Sequence, residues 1–300
     1  MIRAVISGMG GYLPEKVLTN ADLEKMVETT GDLALKAATE ALESAGITGA
    51  DVDMIVFATT TPDETFPATA TKLQAAIGAK GFAFDVQAAC SGFMYALSVA
   101  NHFITAGTVK NALVIGAETL SRIVDWSDRN TCVLFGDGAG AVLLTAEEAQ
   151  GTMADSGVLN VILHSDGSVR DMLKSSGGVS ATKTVGTIMM EGREVFRHAV
   201  TNLADVASEV LNAAGITNAD IDYLVPHQAN IRIIEGTAKK LNLPMDRVIV
   251  TLPQHGNTSS ASIPLALYAG VKSGKLKKGD LLLLESMGAG LTWAGGLIRL

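Results

Sequence analysis

One signature occurs twice in this chain and restricts its fold more than any other feature. Ala45-Gly-Ile-Thr-Gly-Ala-Asp-Val-Asp-Met-Ile-Val56 returns as Ala214-Gly-Ile-Thr-Asn-Ala-Asp-Ile-Asp-Tyr-Leu-Val225, an offset of 169 positions between Gly46 and Gly215. Each copy follows an Ala/Leu-rich amphipathic run, Leu33 to Ser44 and Val200 to Ala213, and enters an apolar strand. Helix, glycine C-cap, turn and strand in that order make an α/β unit. A second correspondence, at an offset of 167, aligns Cys90 through Gly107 with Asn257 through Gly274. Both read as helices ending at glycine, followed by the strands Ala112–Gly116 and Asp280–Leu284. The chain therefore reads as two duplicated α/β halves, residues 1–150 and 151–300, packed about a pseudo-twofold axis. Thr145 to Thr152 is the expected crossover. Equivalent helix starts then converge, and Cys90 is expected opposite Asn257.

Two such halves need a large core, and 300 residues of 48% hydrophobic content supply one. The net charge of −8 argues against a predominantly electrostatic binder of nucleic acid or anionic membrane. The apolar run near Met1 is too short for a signal-peptide core, and no stretch of about 18 apolar residues offers a membrane span. A cytoplasmic protein with reduced thiols is expected, since Cys90 and Cys132 are the only cysteines. Neither the cysteines nor the histidines show metal-ligand spacing, so no metal is expected. Gly8-Met-Gly-Gly11 and Gly136-Asp-Gly-Ala-Gly140 lack a phosphate-binding context and read as tight turns.

The chemistry centres on Cys90. An apolar strand, Phe82–Val86, runs through Gln87-Ala-Ala into Cys90 and then a helical stretch, which puts a thiol at a helix N-terminus. The positive end of the helix dipole is expected to lower its pKa from about 8.5 by a unit or more. His227 follows the strand Tyr223-Leu-Val and Pro226, where an imidazole stands at a strand's carboxyl end. Asn257 opens the helix that corresponds to the one after Cys90. Each residue also has a plainer role: a buried core cysteine, a capped turn histidine, a helix-capping asparagine.

Taken together, Ala88-Ala-Cys-Ser-Gly-Phe93, Pro226-His-Gln-Ala-Asn230, His255-Gly-Asn-Thr-Ser259 and Met287-Gly-Ala-Gly-Leu-Thr-Trp293 resemble the beta-ketoacyl-acyl-carrier-protein synthase III enzymes. The resemblance spans nearly the whole chain in the expected order. It implies a thiolase-like fold, layered αβαβα, and an acyltransferase that initiates fatty-acid synthesis. Cys90 would accept an acyl group from a short acyl-CoA. His227 and Asn257 would then promote decarboxylation of malonyl-acyl carrier protein, and the carbanion would attack the Cys90 thioester. The backbone N–H groups of Cys90 and Ala289 would form the oxyanion hole. Gly192, Phe196 and Asn230 would line the pantetheine tunnel, Arg129 would contact the CoA adenine, and Phe66 would limit a neighbour's acyl pocket across a homodimer interface.

Arg232, Lys239 and Lys240 share one helix face, a basic stripe suited to an acidic carrier protein or to ordinary solvation. The resemblance adds Arg197 to that docking patch. No cofactor is expected to be tightly bound, and acyl-CoA is a substrate. A related condensing enzyme of polyketide or quinolone synthesis, or a noncatalytic carrier-protein scaffold, is the alternative. In one place the chain departs from the family pattern. The Asp-Glu-Trp run and Arg-Thr-Gly motif expected between Thr30 and Gly31 are missing, and with them the tryptophan that stacks on CoA adenine.

Overall fold

Helices and strands alternate through the residues described by the computed structural model, 1–14 and 28–300. The N-terminal half contains β1 (Ile2–Tyr12), α1 (Thr30–Ala45), β2 (Met54–Ala58), α2 (Thr69–Ile77), β3 (Phe82–Val86), α3 (Gly92–Thr105), β4 (Asn111–Thr119) and β5 (Asp137–Glu148). Its strands form one sheet in the order β1-β5-β4-β2-β3. The C-terminal half begins with β6 (Gly157–Ser165), then a small ribbon of β7 (Leu173–Ser175) and β8 (Ile188–Met190) around α4 (Val179–Thr182). It continues with α5 (Gly192–Ala214), β9 (Tyr223–Pro226), α6 (Ile231–Lys240), α7 (Leu252–His255), α8 (Ser262–Lys272), β10 (Leu281–Gly288) and β11 (Thr292–Arg299). The second sheet runs β6-β11-β10-β9 and repeats the first strand for strand, except that β3 is matched among the described residues only by a single parallel bridge of Val248 to Leu224.

Burial defines the layers. Phe93, Met94 and Leu97 of α3 and Ile263, Ala266 and Leu267 of α8 share one core with residues of both sheets, so these helices lie between them. α1 and α2 cover the outer face of the first sheet, while α5 and α6 cover that of the second. The result is α-β-α-β-α, the expected layering. Among the described residues no helix is long and apolar enough to cross a membrane.

The repeated signature works through its caps. Gly46 and Gly215 end α1 and α5 at φ 70° and 67°, the left-handed conformation that glycine adopts without a Cβ penalty. Thr48 then pairs with Asp51, and Thr217 with Asp220, in matching capping boxes. α5 starts at Gly192, well before the amphipathic run that announces it, and β5 occupies the crossover as far as Glu148. The glycine-rich stretches are not tight turns. Gly8 and Gly10 lie inside β1, Gly138 and Gly140 inside β5, and helices press on them. A Cβ on Gly10 would stand 2.0 Å from the Ala37 carbonyl oxygen of α1, and one on Gly140 would stand 2.8 Å from the Leu265 nitrogen of α8.

The structure also revises the register between the halves. α3 is preceded by a 3-10 turn, Ala89–Ser91, and α8 by another, Ser259–Ala261. Their first residues, Ala89 and Ser259, share the uncommon φ values of 46° and 49°. At the helix starts the offset is therefore 170, and the counterpart of Cys90 is Ser260, not Asn257. The offset of 167 holds at the far ends, where Gly107 and Gly274 have φ of 73° and 72°. The two offsets are reconciled by helix length, 14 residues in α3 and 11 in α8.

Candidate active site

Cys90 sits in the 3-10 turn between β3 and α3, 9% exposed, on the wall of a cavity of about 1180 Å³. Leu120, Phe135, Ile188, Ser259 and Ala289 share that wall. Burial pushes the thiol up to about 12; a hydrogen bond with Ser259 opposes the rise, and the charge of Glu118 adds to it. This reverses the expected direction. Removing a thiolate from water costs more here than one short turn's dipole returns, so burial favours the neutral thiol.

Glu118 lies beneath this site, fully buried, with burial raising its pKa. The hydroxyls of Thr59, Thr60, Thr61 and Ser260 and the Thr60 N–H all donate to its carboxyl oxygens. It joins the halves, because Ser260 belongs to the second.

Asn257 is fixed by backbone bonds to the N-terminal half. Its N–H donates to the Leu134 carbonyl at 2.8 Å, and its own carbonyl accepts from Gly136 N–H at 2.9 Å. Its side-chain oxygen accepts from Ser259 N–H at 2.9 Å, which leaves the amide NH₂ as the free donor end. Ser259 lines the cavity with Cys90 and offsets part of the burial that raises its thiol. His227 follows β9, 4% exposed, with its N–H donating to the Glu285 carbonyl at 2.7 Å. Burial pushes its imidazole down to about 3, so the ring is neutral. Its Nδ1 lies 2.6 Å from Ser262 Oγ. The stretch Asn257 to Ser262 is thus common ground, carrying Asn257 itself, reaching Cys90 through Ser259 and holding His227 through Ser262.

Ala289 lines the same cavity and does not have a positive φ, so its methyl group carries no backbone penalty. Of the expected residues only Cys90 and Ala289 line this cavity; His227 and Asn257 lie behind its wall, and the others lie away from it. Phe66 is 82% exposed, although its neighbours Pro62 to Thr65 line the cavity. Gly192 opens α5, Phe196 lies exposed one turn on, and Asn230 caps α6 by accepting from Arg232 N–H at 2.9 Å. Arg129 is exposed on the loop after β4. Arg232, Lys239 and Lys240 lie exposed along α6; Arg197 of α5 is exposed and paired with Glu194. Sequence reasoning missed Ser262 and Glu118. The available signal for Ser262 was a serine at an otherwise apolar helix start, five residues after Asn257. Among the described residues no cluster of His, Cys, Asp or Glu could hold a metal ion.

The Thr30–Gly31 peptide is continuous within the first turn of α1. Thr29 caps that helix in a capping box with Asp32, and Gly31 N–H donates to Asp63 at 2.8 Å. A Cβ on Gly31 would stand 2.6 Å from the Asp63 carboxylate.

Two family models match the chain. Residues 84–167 match 3-oxoacyl-[acyl-carrier-protein] synthase III, and residues 211–300 match its C-terminal region. The beta-ketoacyl-[acyl-carrier-protein] synthase III of Paramagnetospirillum magneticum is 56% identical over 323 aligned positions, covering 100% of both chains. That span exceeds the 300 residues here by 23, so the relative has at least that many residues without a counterpart in this chain. Among solved structures, the 3-oxoacyl-[acyl-carrier-protein] synthase III of Aquifex aeolicus superposes with a TM-score of 0.92 at 44% identity, covering 99% of this chain and 100% of that one. The Pseudomonas aeruginosa enzyme gives 0.91 at 40% identity, covering 99% and 98%.

Proposed function

The chain belongs to the beta-ketoacyl-acyl-carrier-protein synthase III family, and from that premise we propose how its own residues carry out the reaction. It is an acyltransferase of the thiolase fold. It condenses a short acyl-CoA with malonyl-acyl carrier protein, releasing carbon dioxide and giving the 3-oxoacyl-acyl carrier protein that starts fatty-acid synthesis.

In our reading residues 1–150 supply the nucleophile and residues 151–300 the donors. What supports this division is placement: Cys90 stands on the cavity wall in the turn before α3, while the second half supplies Asn257 with its NH₂ free and His227 held at Nδ1 by Ser262, in a burial that keeps the imidazole neutral. Such an imidazole is too weak a base to hold the thiol proton, which leaves it the role of hydrogen-bond donor. In the first half-reaction the bond from Cys90 Sγ to the acyl carbon forms, the bond from that carbon to CoA sulfur breaks, and the Cys90 proton ends on CoA. The N–H groups of Cys90 and Ala289 stabilise the oxyanion.

In the second half-reaction the malonyl carbon–carbon bond breaks, carbon dioxide leaves, and its electron pair becomes an enolate. The His227 ring N–H and the Asn257 NH₂ donate to the enolate oxygen. The carbanion then attacks the Cys90 thioester, and the departing thiolate regains a proton from solvent. Both donors are neutral in the resting state and take no proton themselves.

Substrate delivery completes the proposal. Arg197, Arg232, Lys239 and Lys240 steer the acidic carrier protein. Gly192, Phe196 and Asn230 guide the pantetheine arm, and Arg129 meets the adenine. The exposed Phe66 and the edge strand β3, which among the described residues pairs only with β2, support a homodimer in which Phe66 enters the partner's acyl pocket. The free thiols of Cys90 and Cys132 suit the cytoplasm. Incubation with a panel of acyl-CoAs followed by peptide mass spectrometry tests the core of this reading. A short acyl adduct is expected on the Cys90 peptide, and an adduct elsewhere would overturn the assignment.

A further inference from the structure

His227 has one ring proton and two nitrogens to put it on, and the proposed chemistry works only if the nitrogen facing substrate carries it. The contact on the other nitrogen decides this. Nδ1 faces Ser262 Oγ at 2.6 Å, and both residues are buried, at 4% and 1% exposure. A hydroxyl has one proton and can point it either way. A second group shares this contact: the N–H of Gln228, a fully buried residue, points at the same oxygen at 3.4 Å. A buried N–H needs an acceptor. The Gln228 side chain offers none, because its oxygen accepts from Thr251 N–H and Leu252 N–H while its nitrogen donates to the Pro226 and Ile249 carbonyls. The Ser262 oxygen has lone pairs for both Gln228 and a protonated Nδ1, but among the described residues its own hydroxyl proton has no acceptor except Nδ1, so donation to His227 is the arrangement that leaves no proton of this buried group without a partner.

The duplication provides an independent control. His227 and Ser262 correspond to Ala58 and Gly92 in the other half, at the offsets of 169 and 170 established by the strand register and the helix starts. That pair is also in contact, since a Cβ built on Gly92 would lie 3.1 Å from the Ala58 Cβ. The scaffold thus brings the end of the second strand against the start of the buried helix in both halves. Only in the C-terminal half is the contact made of hydrogen-bonding groups, and there both members changed together.

We propose that Ser262 is a positioning residue, which donates to Nδ1 of His227 and so holds the imidazole as the tautomer with its proton on Nε2, directed at the malonyl thioester oxygen. Ser262 itself touches no substrate. The inference rests on the reading of His227 as a donor, but part of its test does not.

Nitrogen NMR of unmodified protein carrying isotope-labelled histidine reads the tautomer directly. An unprotonated Nδ1 and a protonated Nε2 are expected at neutral pH; the opposite assignment would overturn the proposal whatever the activity. In Ser262→Ala the signal should shift toward the other tautomer. Malonyl-carrier-protein decarboxylation should fall about 10- to 100-fold in kcat, the range seen when the partner that orients a functional imidazole is lost, with its KM nearly unchanged. Acylation of Cys90 should persist, and Ser262→Thr, which keeps the hydroxyl, should recover most of the rate. Unchanged decarboxylation in a folded Ser262→Ala, or no recovery in Ser262→Thr with native spectra, would reject the role. If unmodified protein shows the expected tautomer but decarboxylates no malonyl-carrier protein, the functional reading fails and the positioning contact stands.

Discussion

At the end of β2 the methyl group of Ala58 faces Gly92; at the matching end of β9 the imidazole of His227 faces the hydroxyl of Ser262. The backbone geometry is the same and the chemistry is not. A similar contrast holds one turn away. Cys90 lines the cavity, whereas its counterpart Ser260 turns inward and bonds to the Ala58 carbonyl at 2.9 Å and to Glu118 at 3.0 Å. The lesson is that two copies of one scaffold become one site by dividing the labour. One copy has only hydrogen and methyl at this contact, and the other has an imidazole and a hydroxyl, which suits the division of labour proposed above.

The sharpest way to break this comparison is to exchange matched positions. Cys90→Ala should reduce acyl-enzyme formation to background, read as loss of the mass shift after incubation with acyl-CoA. Ser260→Ala should still form the acyl-enzyme but lose about 1–3 kcal/mol of stability, because a buried carboxyl oxygen of Glu118 loses a donor; denaturant titration measures it. An acyl-enzyme in Cys90→Ala would show that the halves are not divided as stated.

Next in size is His227→Ala, with an expected loss of about 10²- to 10³-fold in decarboxylation from removing one donor and persistent acylation. The double variant His227→Ala/Ser262→Gly recreates the Ala58/Gly92 pair of the other half. It should lose no more rate than His227→Ala alone, since a residue that acts through the imidazole has nothing to position without it. A further drop in the double variant would give Ser262 a separate task.

Two buried carboxyls extend the contrast to stability. Glu118 has many donors; neither carboxyl oxygen of Glu285, in β10, has a hydrogen-bond partner. Burial raises Glu285 from 4.5 to about 8. Its folded pKa exceeds its unfolded one, so its contribution is full below pH 4.5 and is lost as pH climbs toward 8. His227 has the opposite sign. Its fall from 6.5 to about 3 means that stability is lost as pH drops through that interval. Thermal unfolding should therefore show both limbs, and Glu285→Gln should flatten only the alkaline one. The smallest effect belongs to the surface: reversing two charges among Arg232, Lys239 and Lys240 should raise the carrier-protein KM several-fold at low salt and little at high salt, because rim charges act mainly on encounter.

Much of this was legible in the sequence, because much of it is local. Gly46, Thr48 and Asp51 and their repeats announce caps and turns through side chains that bond within a few residues. Cys90, His227 and Asn257 stand out as polar groups where apolar elements begin or end. The register of the duplication was not legible at the site. The three residues missing from α8 fall within an apolar helix, where no side chain marks the gap, and the glycine C-caps at its far end anchored the wrong offset. Gly10 and Gly140 were misread for a related reason. Their constraint comes from helices distant in sequence, Ala37 of α1 and Leu265 of α8, which press against the strands. The direction of the thiol pKa could not be inferred from a helix start alone, since it is set by burial of Cys90 among residues distant in sequence, Gly288 among them.

That burial bears on how the enzyme endures. Burial pushes the Cys90 thiol well above the usual thiol range, so the neutral form dominates at pH 7. Peroxide and small alkylating agents react with thiolates, so they find almost nothing to attack while the site is at rest. If Cys90 is the nucleophile proposed above, burial shields it while the cavity is empty, and an electrophile that first occupies the cavity is expected to modify it faster than one of equal reactivity that does not.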